Sequence, residues 1–397
     1  MRIALIASPF IEVPPRRYGG TELFIARLAE GLTERGVRVI LYANGESTVG
    51  CELRYLYPHG EWPIDGEIYS STKDLNHTSW AIHDCWHEAD IIHLNNVPGL
   101  AFARFRGPRF AYTVHHPHQP ALSQFYSCFS EVEFVTISRF QQQRESFPRT
   151  RTIHHGVDMR AYKLNPRKQP YFCFLGRIAP VKGTHLAIEV ARQTGIPLKI
   201  AGEIQPIFRD YFESRIKPHI DGKFIQFLGE ANLAEKNELL GNAMAMLFPI
   251  QWDEPFGLVM IEAMATGTPV LALSGGAVRE VVADGVSGYV CSTLPELVEK
   301  ARRADSAFNP LLVRRYVEEN FSVEGMVNKY VTLYQDMAGG VRERLAPLAS
   351  PRPAHSGELA HGAASEGIAA RLASTRLVHG DEQEQLPPEP EEPRAIA

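Results

Sequence analysis

Apolar residues fall along this chain in two rhythms. RIALIA (2–7) is a near-continuous apolar run, and VRVILYA, ADIIHLN, FAYTVH and FVTIS repeat the pattern further on. None alternates apolar with polar, so each predicts a strand covered on both faces. Between the first two, TELFIARLAEGLTERG sets Phe24, Leu28 and Leu32 on one helical stripe, with Ile25 and Ala29 beside them. Gly36 stands where such a helix stops. Strand, helix, strand in this order predicts a parallel sheet with helices on both sides.

The rhythm breaks over MRAYKLNPRKQP (159–170), a polar stretch with two prolines that predicts a linker. It then restarts. YFCFLG predicts a strand, and THLAIEVARQTG a helix with Leu186, Ala187, Val190 and Ala191 inward and Gly195 as its stop. PLKIAGE, KFIQFLG, AMAMLFP and TPVLAL predict further strands. The fold class expected is α/β: two Rossmann-like, doubly wound parallel-sheet domains facing across a cleft. From about Gly339 the chain turns rich in Ala, Pro, Glu and Ser and poor in aromatics. That composition predicts a disordered tail, with one weak helical stretch around Glu366–Leu377.

Composition narrows the function classes. The 397 residues are 44% hydrophobic with a net charge of −5, so no global basic field argues for nucleic acid. Cys51, Cys85, Cys128, Cys173 and Cys291 are scattered, which fits reduced thiols in a cytoplasm better than a disulfide framework. No run approaches a membrane span, while peripheral contact with the inner face of a membrane stays open.

Ligands of open doubly wound sheets bind at the carboxyl ends of the strands, so the loops after strands should carry the chemistry. Arg177 and Lys182 share the loop after YFCFLG. Two cations there can clamp a diphosphate while Gly176 and Gly183 let the backbone approach; two solvated surface charges are the plain alternative. The stretch DEPFGLVMIEAMATGTPV (253–270) predicts a loop fixed by Pro255 and a helix from about Phe256 to Thr266, ended by Gly267 and Pro269. Glu254 then precedes the helix and Glu262 lies inside it. The free amides of Phe256, Gly257 and Leu258 suit an anion. Carboxylates accept hydrogen bonds from hydroxyls, and a ribose offers an adjacent pair. Taken together, these residues suit a ligand with hydroxyls at each end and phosphates between: a nucleotide sugar.

DEPFGLVMIEAMATGTPV, FLGRIAPVKG and the opening ALIASPF with YGGTE resemble the retaining GT-B glycosyltransferases of family 4 (glycosyltransferase group 1), from Met1 to about Met337. The resemblance implies roles. Glu254 would hold the donor sugar's hydroxyls, and Glu262 the ribose diol. Arg177 and Lys182 would neutralise the departing diphosphate. Gly19 and Gly20 would close over the donor, and His115 or its neighbour His116 would contact the sugar. Catalytic duty would fall to Glu254, His115, Arg177 and Lys182, with Gly19, Gly20, Phe256, Gly257, Leu258 and Glu262 completing the donor site. His155 departs from the family's usual Asn, and Asp158 would cap a helix starting near Met159. Ser274-Gly275-Gly276 would form a loop near the nucleotide, with Glu280 on the helix after it.

The expected division is an acceptor-side domain over 1–165, a donor-side domain over 170–324, a helix over 325–338 packing back on the first domain, and the tail over 339–397. The activity implied is metal-independent, retaining transfer of a hexose from a UDP-sugar or other nucleoside-diphosphate sugar to a sugar, lipid-linked or small-molecule acceptor, with no cofactor. A sugar-nucleotide epimerase, a phosphorylase or a non-catalytic nucleotide-sugar binder would share many of these residues. A nicotinamide enzyme would not, since no Gly-x-Gly-x-x-Gly follows the first strand. His83, Cys85 and His87 in HDCWH have metal-like spacing but no second ligand pair, so a solvated helix face is expected. Arg104, Arg106 and Arg109 predict an exposed basic segment, which an anionic acceptor or lipid surface could touch.

Overall fold

Period-two splitting of apolar strands organises both halves of the protein. Ile3 and Leu5 of β1 (Arg2–Ile6) enter one core, while Ala4 and Ile6 enter another on the opposite face. This is why the strand shows no polar alternation: water touches neither side. The first sheet adds β2 (Arg38–Tyr42), β3 (Glu52–Arg54), β4 (Ile91–Leu94), β5 (Arg109–Val114), β6 (Glu133–Thr136) and β7 (Thr150–Thr152). All its pairings are parallel, in the order β3-β2-β1-β4-β5-β6-β7.

The second sheet contains β8 (Gln169–Leu175), β9 (Leu198–Ala201), β10 (Ile225–Phe227), β11 (Ala243–Phe248), β12 (Val270–Leu273) and β13 (Gly288–Cys291). It is parallel too, in the order β10-β9-β8-β11-β12-β13. On β8, Phe172 and Phe174 face one core and Tyr171, Cys173 and Leu175 the other. Strand order reverses between β1 and β4, and again between β8 and β11. Crevices open at such points. The computed structural model of the chain describes residues 1–17, 19–63 and 66–344.

The last described helix, Val323–Arg344, returns to the first sheet. Val327, Tyr330, Leu333 and Tyr334 join Leu28 and Leu32 of the Gly20–Glu34 helix in one core. A Cβ at Gly31 would fall 2.5 Å from Val327 Cγ2, so the two helices touch where a side chain is missing. Tyr334 Oη lies 2.6 Å from His93 Nδ1, whose ring continues through Nε2 to Thr113 at 2.8 Å. Residues 339–344, expected as tail, extend this helix instead. The rest of the tail, with the stretch at Glu366–Leu377, lies outside the described residues.

Three short strands escape the hydrophobic pattern. β3 and β7 sit at sheet edges and are only partly buried, and β13 carries Gly288 and Tyr289. HDCWH closes the Glu67–Cys85 helix: His83 and His87 are exposed, but Cys85 is fully buried, so that segment is not a uniformly solvated face. Among the described residues, no helix is long and apolar enough to cross a membrane.

Candidate functional site

The carboxyl ends of β1, β5, β8, β9 and β11 open on one cleft of about 720 Å³. Gly19, Gly20, His115, His116, Arg177, Lys182, Glu254, Phe256, Gly257, Leu258 and Glu262 all line it. Residues separated by up to 243 positions (262 − 19) therefore face a common space.

The wall from the second sheet carries its charge in pairs. Lys182 Nζ is 2.5 Å from Glu254 Oε2, with side chains 15% and 7% exposed. The Trp252 indole donates to the same oxygen at 2.8 Å, and Lys182 lies 4.4 Å from the centre of that ring. Removing one member of so buried a pair strands the other, at a cost of about 3–5 kcal/mol. Glu262 is paired with Lys236 at 3.1 Å and accepts the Tyr162 hydroxyl at 2.5 Å. Burial first, then the Glu262 carboxylate, push Tyr162 well above its usual range, so it stays a donor. Arg177 differs: its Nη1 donates to the neutral amide oxygen of Gln205 at 3.2 Å.

Backbone geometry explains the motif spacing. Gly183 has φ 73°, and a Cβ there would sit 1.9 Å from the Pro249 carbonyl oxygen, so only glycine lets the Lys182 loop lie on the end of β11. The helix expected from Phe256 begins at Leu258, with Gly257 as its left-handed N-cap. The Phe256 ring is buried against His154, His155 and Phe321. Met260 N donates back to Gly257 O at 3.0 Å, leaving Leu258 and Val259 to present the leading amides.

Uncharged rings form the centre of the facing wall, which Arg16, Arg17, Arg27 and Asp158 also line. His115 and His155 stack with centroids 5.6 Å apart and planes 10° apart, and Phe24 packs on both. His115 Nε2 donates to Asn95 Oδ1 at 3.0 Å; the Asn95 amide is itself oriented by the Ile6 carbonyl. Burial, then the neighbouring His155, hold the His115 ring well below its usual pKa, so it is neutral with Nδ1 as acceptor. Burial, then His154, push His155 down to about 3. Its buried Nδ1 has no partner among the described residues. His116 is held at both nitrogens, Nδ1 by the Pro117 carbonyl and Nε2 by the Tyr126 hydroxyl, each at 2.7 Å.

Two expectations are corrected here. Asp158 caps no helix; it closes a turn by accepting Arg160 N at 2.9 Å, and Arg27 approaches it at 3.5 Å. Ser274, Gly275 and Gly276 are not among the residues that line the cleft but buttress the Glu254 loop from behind: a Cβ at Gly276 would fall 2.2 Å from Glu254 O. Glu280 lies on the Val278–Val281 helix after that loop, as expected, and is turned to the other sheet's domain. It accepts the amides of Arg139 at 2.9 Å and Phe140 at 3.2 Å, and meets His154 Nε2 at 2.5 Å. Burial raises the Glu280 pKa, but these donors outweigh it and keep it ionised. Arg144–Asp253, at 2.6 Å, is a second tie between the halves.

Tyr162, Lys236, Trp252 and Asn95 were not singled out from sequence. Tyr162 falls in the stretch whose composition predicts a linker, and Asn95 at the end of a strand. The Asn232 capping box, closed by Glu235, was a readable start for the Leu233–Asn242 helix that carries Lys236. Among the described residues, no group of three or more His, Cys, Asp or Glu is placed to hold a metal ion.

Comparison with known proteins follows the same division of the chain. The family model "Glycosyltransferase Family 4" matches residues 18–161, and "Glycosyl transferases group 1" matches residues 158–304. The chain is a GT-B glycosyltransferase of the family 4 kind. This glycosyltransferase is 24% identical over 382 residues to a phosphatidyl-myo-inositol mannosyltransferase of Mycobacterium tuberculosis, covering 85% of this chain and 98% of the relative. Its fold matches sucrose-phosphate synthase from Thermosynechococcus elongatus with a TM-score of 0.72 at 18% identity, over 85% of this chain and 99% of the other. HepE of Anabaena, solved with UDP and glucose, matches with a TM-score of 0.67 at 18% identity, over 85% and 100%.

Proposed function

We propose that this glycosyltransferase moves a hexose from a nucleoside-diphosphate sugar, UDP-linked in the first instance, to an acceptor hydroxyl, with retention of configuration and without a metal. The observation that carries this reading is the convergence of Arg177, Lys182, Glu254 and Glu262 on one wall of the cleft, around the start of the Leu258–Ala265 helix. Cations and leading amides suit a pyrophosphate. Acids on either side suit polyols. The UDP and glucose bound by HepE lend support, as does the lipid-linked acceptor named for the mycobacterial relative.

Glu262, now occupied by Lys236 and Tyr162, would accept ribose hydroxyls, and Glu254 those of the sugar. The bond from the anomeric carbon to the diphosphate loosens first. Positive charge builds on the sugar while Arg177, Lys182 and the helix start take up the negative charge leaving it. The leaving phosphate oxygen then accepts the proton of the acceptor hydroxyl, which attacks from the same face. His115 presents a neutral acceptor nitrogen to a donor-sugar hydroxyl. No carboxylate becomes a covalent nucleophile, unlike in a retaining glycosidase.

A melting-point screen with UDP-, GDP- and ADP-sugars tests the donor class, since a ligand that binds only the folded state raises the midpoint. NMR of the product's anomeric proton and turnover in EDTA test the rest. Inverted product, or activity lost with chelator and restored by a divalent ion, overturns the corresponding part.

A further inference from the structure

A chain of hydrogen bonds joins the two halves of the molecule and ends on Arg177. The Trp62 indole, on the loop between β3 and the Glu67–Cys85 helix, donates to Glu203 Oε1 at 2.8 Å. Glu203 and Gln205 lie on the loop after β9. Gln205 Nε2 donates to Glu203 Oε2 at 3.2 Å, and Gln205 Oε1 accepts from Arg177 Nη1 at 3.2 Å. The two bonds of the Gln205 amide agree on its orientation. From this geometry we infer that Gln205 is a positioning residue: it holds the Arg177 guanidinium towards the diphosphate with its charge unspent, and through Glu203 it reports the placement of Trp62, in the other half of the molecule, to that cation.

The contrast with Lys182 gives the physical reason. Lys182 is in direct contact with a carboxylate, so much of its field is cancelled locally. Arg177 has a carboxylate nearby in Glu203, but a neutral amide stands between them. An arginine that must bind a diphosphate gains from an orienting partner that carries no charge, because a charged one competes with the ligand. Glu203 also lines the cleft, beside Arg177. Its carboxylate is occupied by two donors, so it does not turn to the guanidinium.

Coupling follows from the same bonds. Trp62 belongs to the half of the molecule built on the first sheet, Arg177 to the half built on the second. Any change in how Trp62 meets Glu203 is passed to Arg177 through one side chain. By linkage, a ligand held by Arg177 must bias the Trp62 contact in return.

This inference rests on the donor class proposed above. The test uses calorimetry with UDP, GDP and their parent nucleosides on the full chain. Gln205→Glu is nearly isosteric and places a carboxylate against Arg177; it should weaken nucleoside diphosphate binding by about tenfold or more while leaving nucleoside binding unchanged. A general loss of structure would weaken both and lower the melting point, and that outcome counts against the inference. Gln205→Leu and Trp62→Phe should each lower kcat/KM by about five- to tenfold, and the double variant should be no worse than the more damaged single one. Effects that multiply would sever Trp62 from Arg177. If wild type binds neither diphosphate, the donor class falls and takes this inference with it. If wild type binds and Gln205→Glu binds equally well, only this inference falls.

Discussion

The two walls of the cleft solve different problems. The wall from the second sheet holds Lys182–Glu254 and Lys236–Glu262, formal charges buried in pairs. The facing wall sets His115 and His155, imidazoles kept neutral by burial and backed by Phe24, among Arg16, Arg17 and Arg27. Paired charges can exchange partners: an incoming pyrophosphate takes over a cation, and incoming hydroxyls take over an acid, without leaving any group bare. Neutral imidazoles can only offer hydrogen bonds and contact. The buried lysine–glutamate pairs of one wall can therefore exchange partners during transfer, while the stacked rings of the other shape the space above them.

If that division holds, substitutions on the charged wall should cost most. Arg177→Ala is expected to cut turnover by about 10²–10³-fold, because a fixed donor at a developing anion contributes about 3–4 kcal/mol. Turnover within a few-fold of wild type would falsify the division at its strongest point. Glu254→Gln comes next. It keeps the shape but leaves Lys182 without its anion, so free UDP should bind as well as before or better, while transfer falls by about 10²-fold. Parallel losses in transfer and UDP affinity would move Glu254 onto the nucleotide. Among the neutral rings His115→Phe keeps an aromatic ring for the stack but removes both the acceptor nitrogen and the donor to Asn95 Oδ1; a loss of about tenfold in kcat/KM for the donor is expected. A loss as large as that of Arg177→Ala would erase the contrast between the walls.

The same contrast governs what the sequence discloses. The charged wall is built mostly from short contiguous motifs. Glu254, Gly257 and Glu262 share one loop and helix, and Arg177 and Lys182 share one loop, so spacing alone brings them together. The partners that complete each pair were not legible: Tyr162 and Lys236 reach Glu262 across 100 and 26 positions. The stacked rings and their support are assembled from Phe24 inside the Gly20–Glu34 helix and from Asn95, His115 and His155, each following a different strand, and no local pattern links them. Resemblance could point to His115, but nothing in the chain announced that His155 would stack on it. The fold was easier to see, because two-sided burial leaves long apolar runs. Only the marginal strands β3, β7 and β13 were lost, where the runs shrink to three or four residues.

The smallest expected effect concerns stability, and it probes the neutral rings by acid. Burial holds His155 and His93 down to about 3 and His77 to about 4, and keeps His115 low as well. In the unfolded chain each would take a proton near pH 6.5. Between those limits the unfolded state binds more protons at these four groups, so their contribution to stability is fully present above about pH 6.5 and is lost as the pH drops towards the folded values. Each such histidine contributes up to about 2 kcal/mol of loss between pH 6.5 and pH 5. Glu280 acts in the same direction, but its carboxylate titrates below the range of ordinary glutamates, so its loss comes at lower pH. Between pH 7 and pH 5 Glu22, raised by burial to about 7, works the other way, because the folded state takes up its proton first as the pH falls, so a histidine is isolated by comparing a variant with wild type rather than by the slope itself. His155→Asn removes one of them and carries an amide that does not titrate. Its melting point should fall less over that interval than wild type's, whichever of the two is more stable at pH 7. An identical acid slope in both proteins would mean that His155 already takes up its proton in the folded state, and the stacked rings would then carry charge after all.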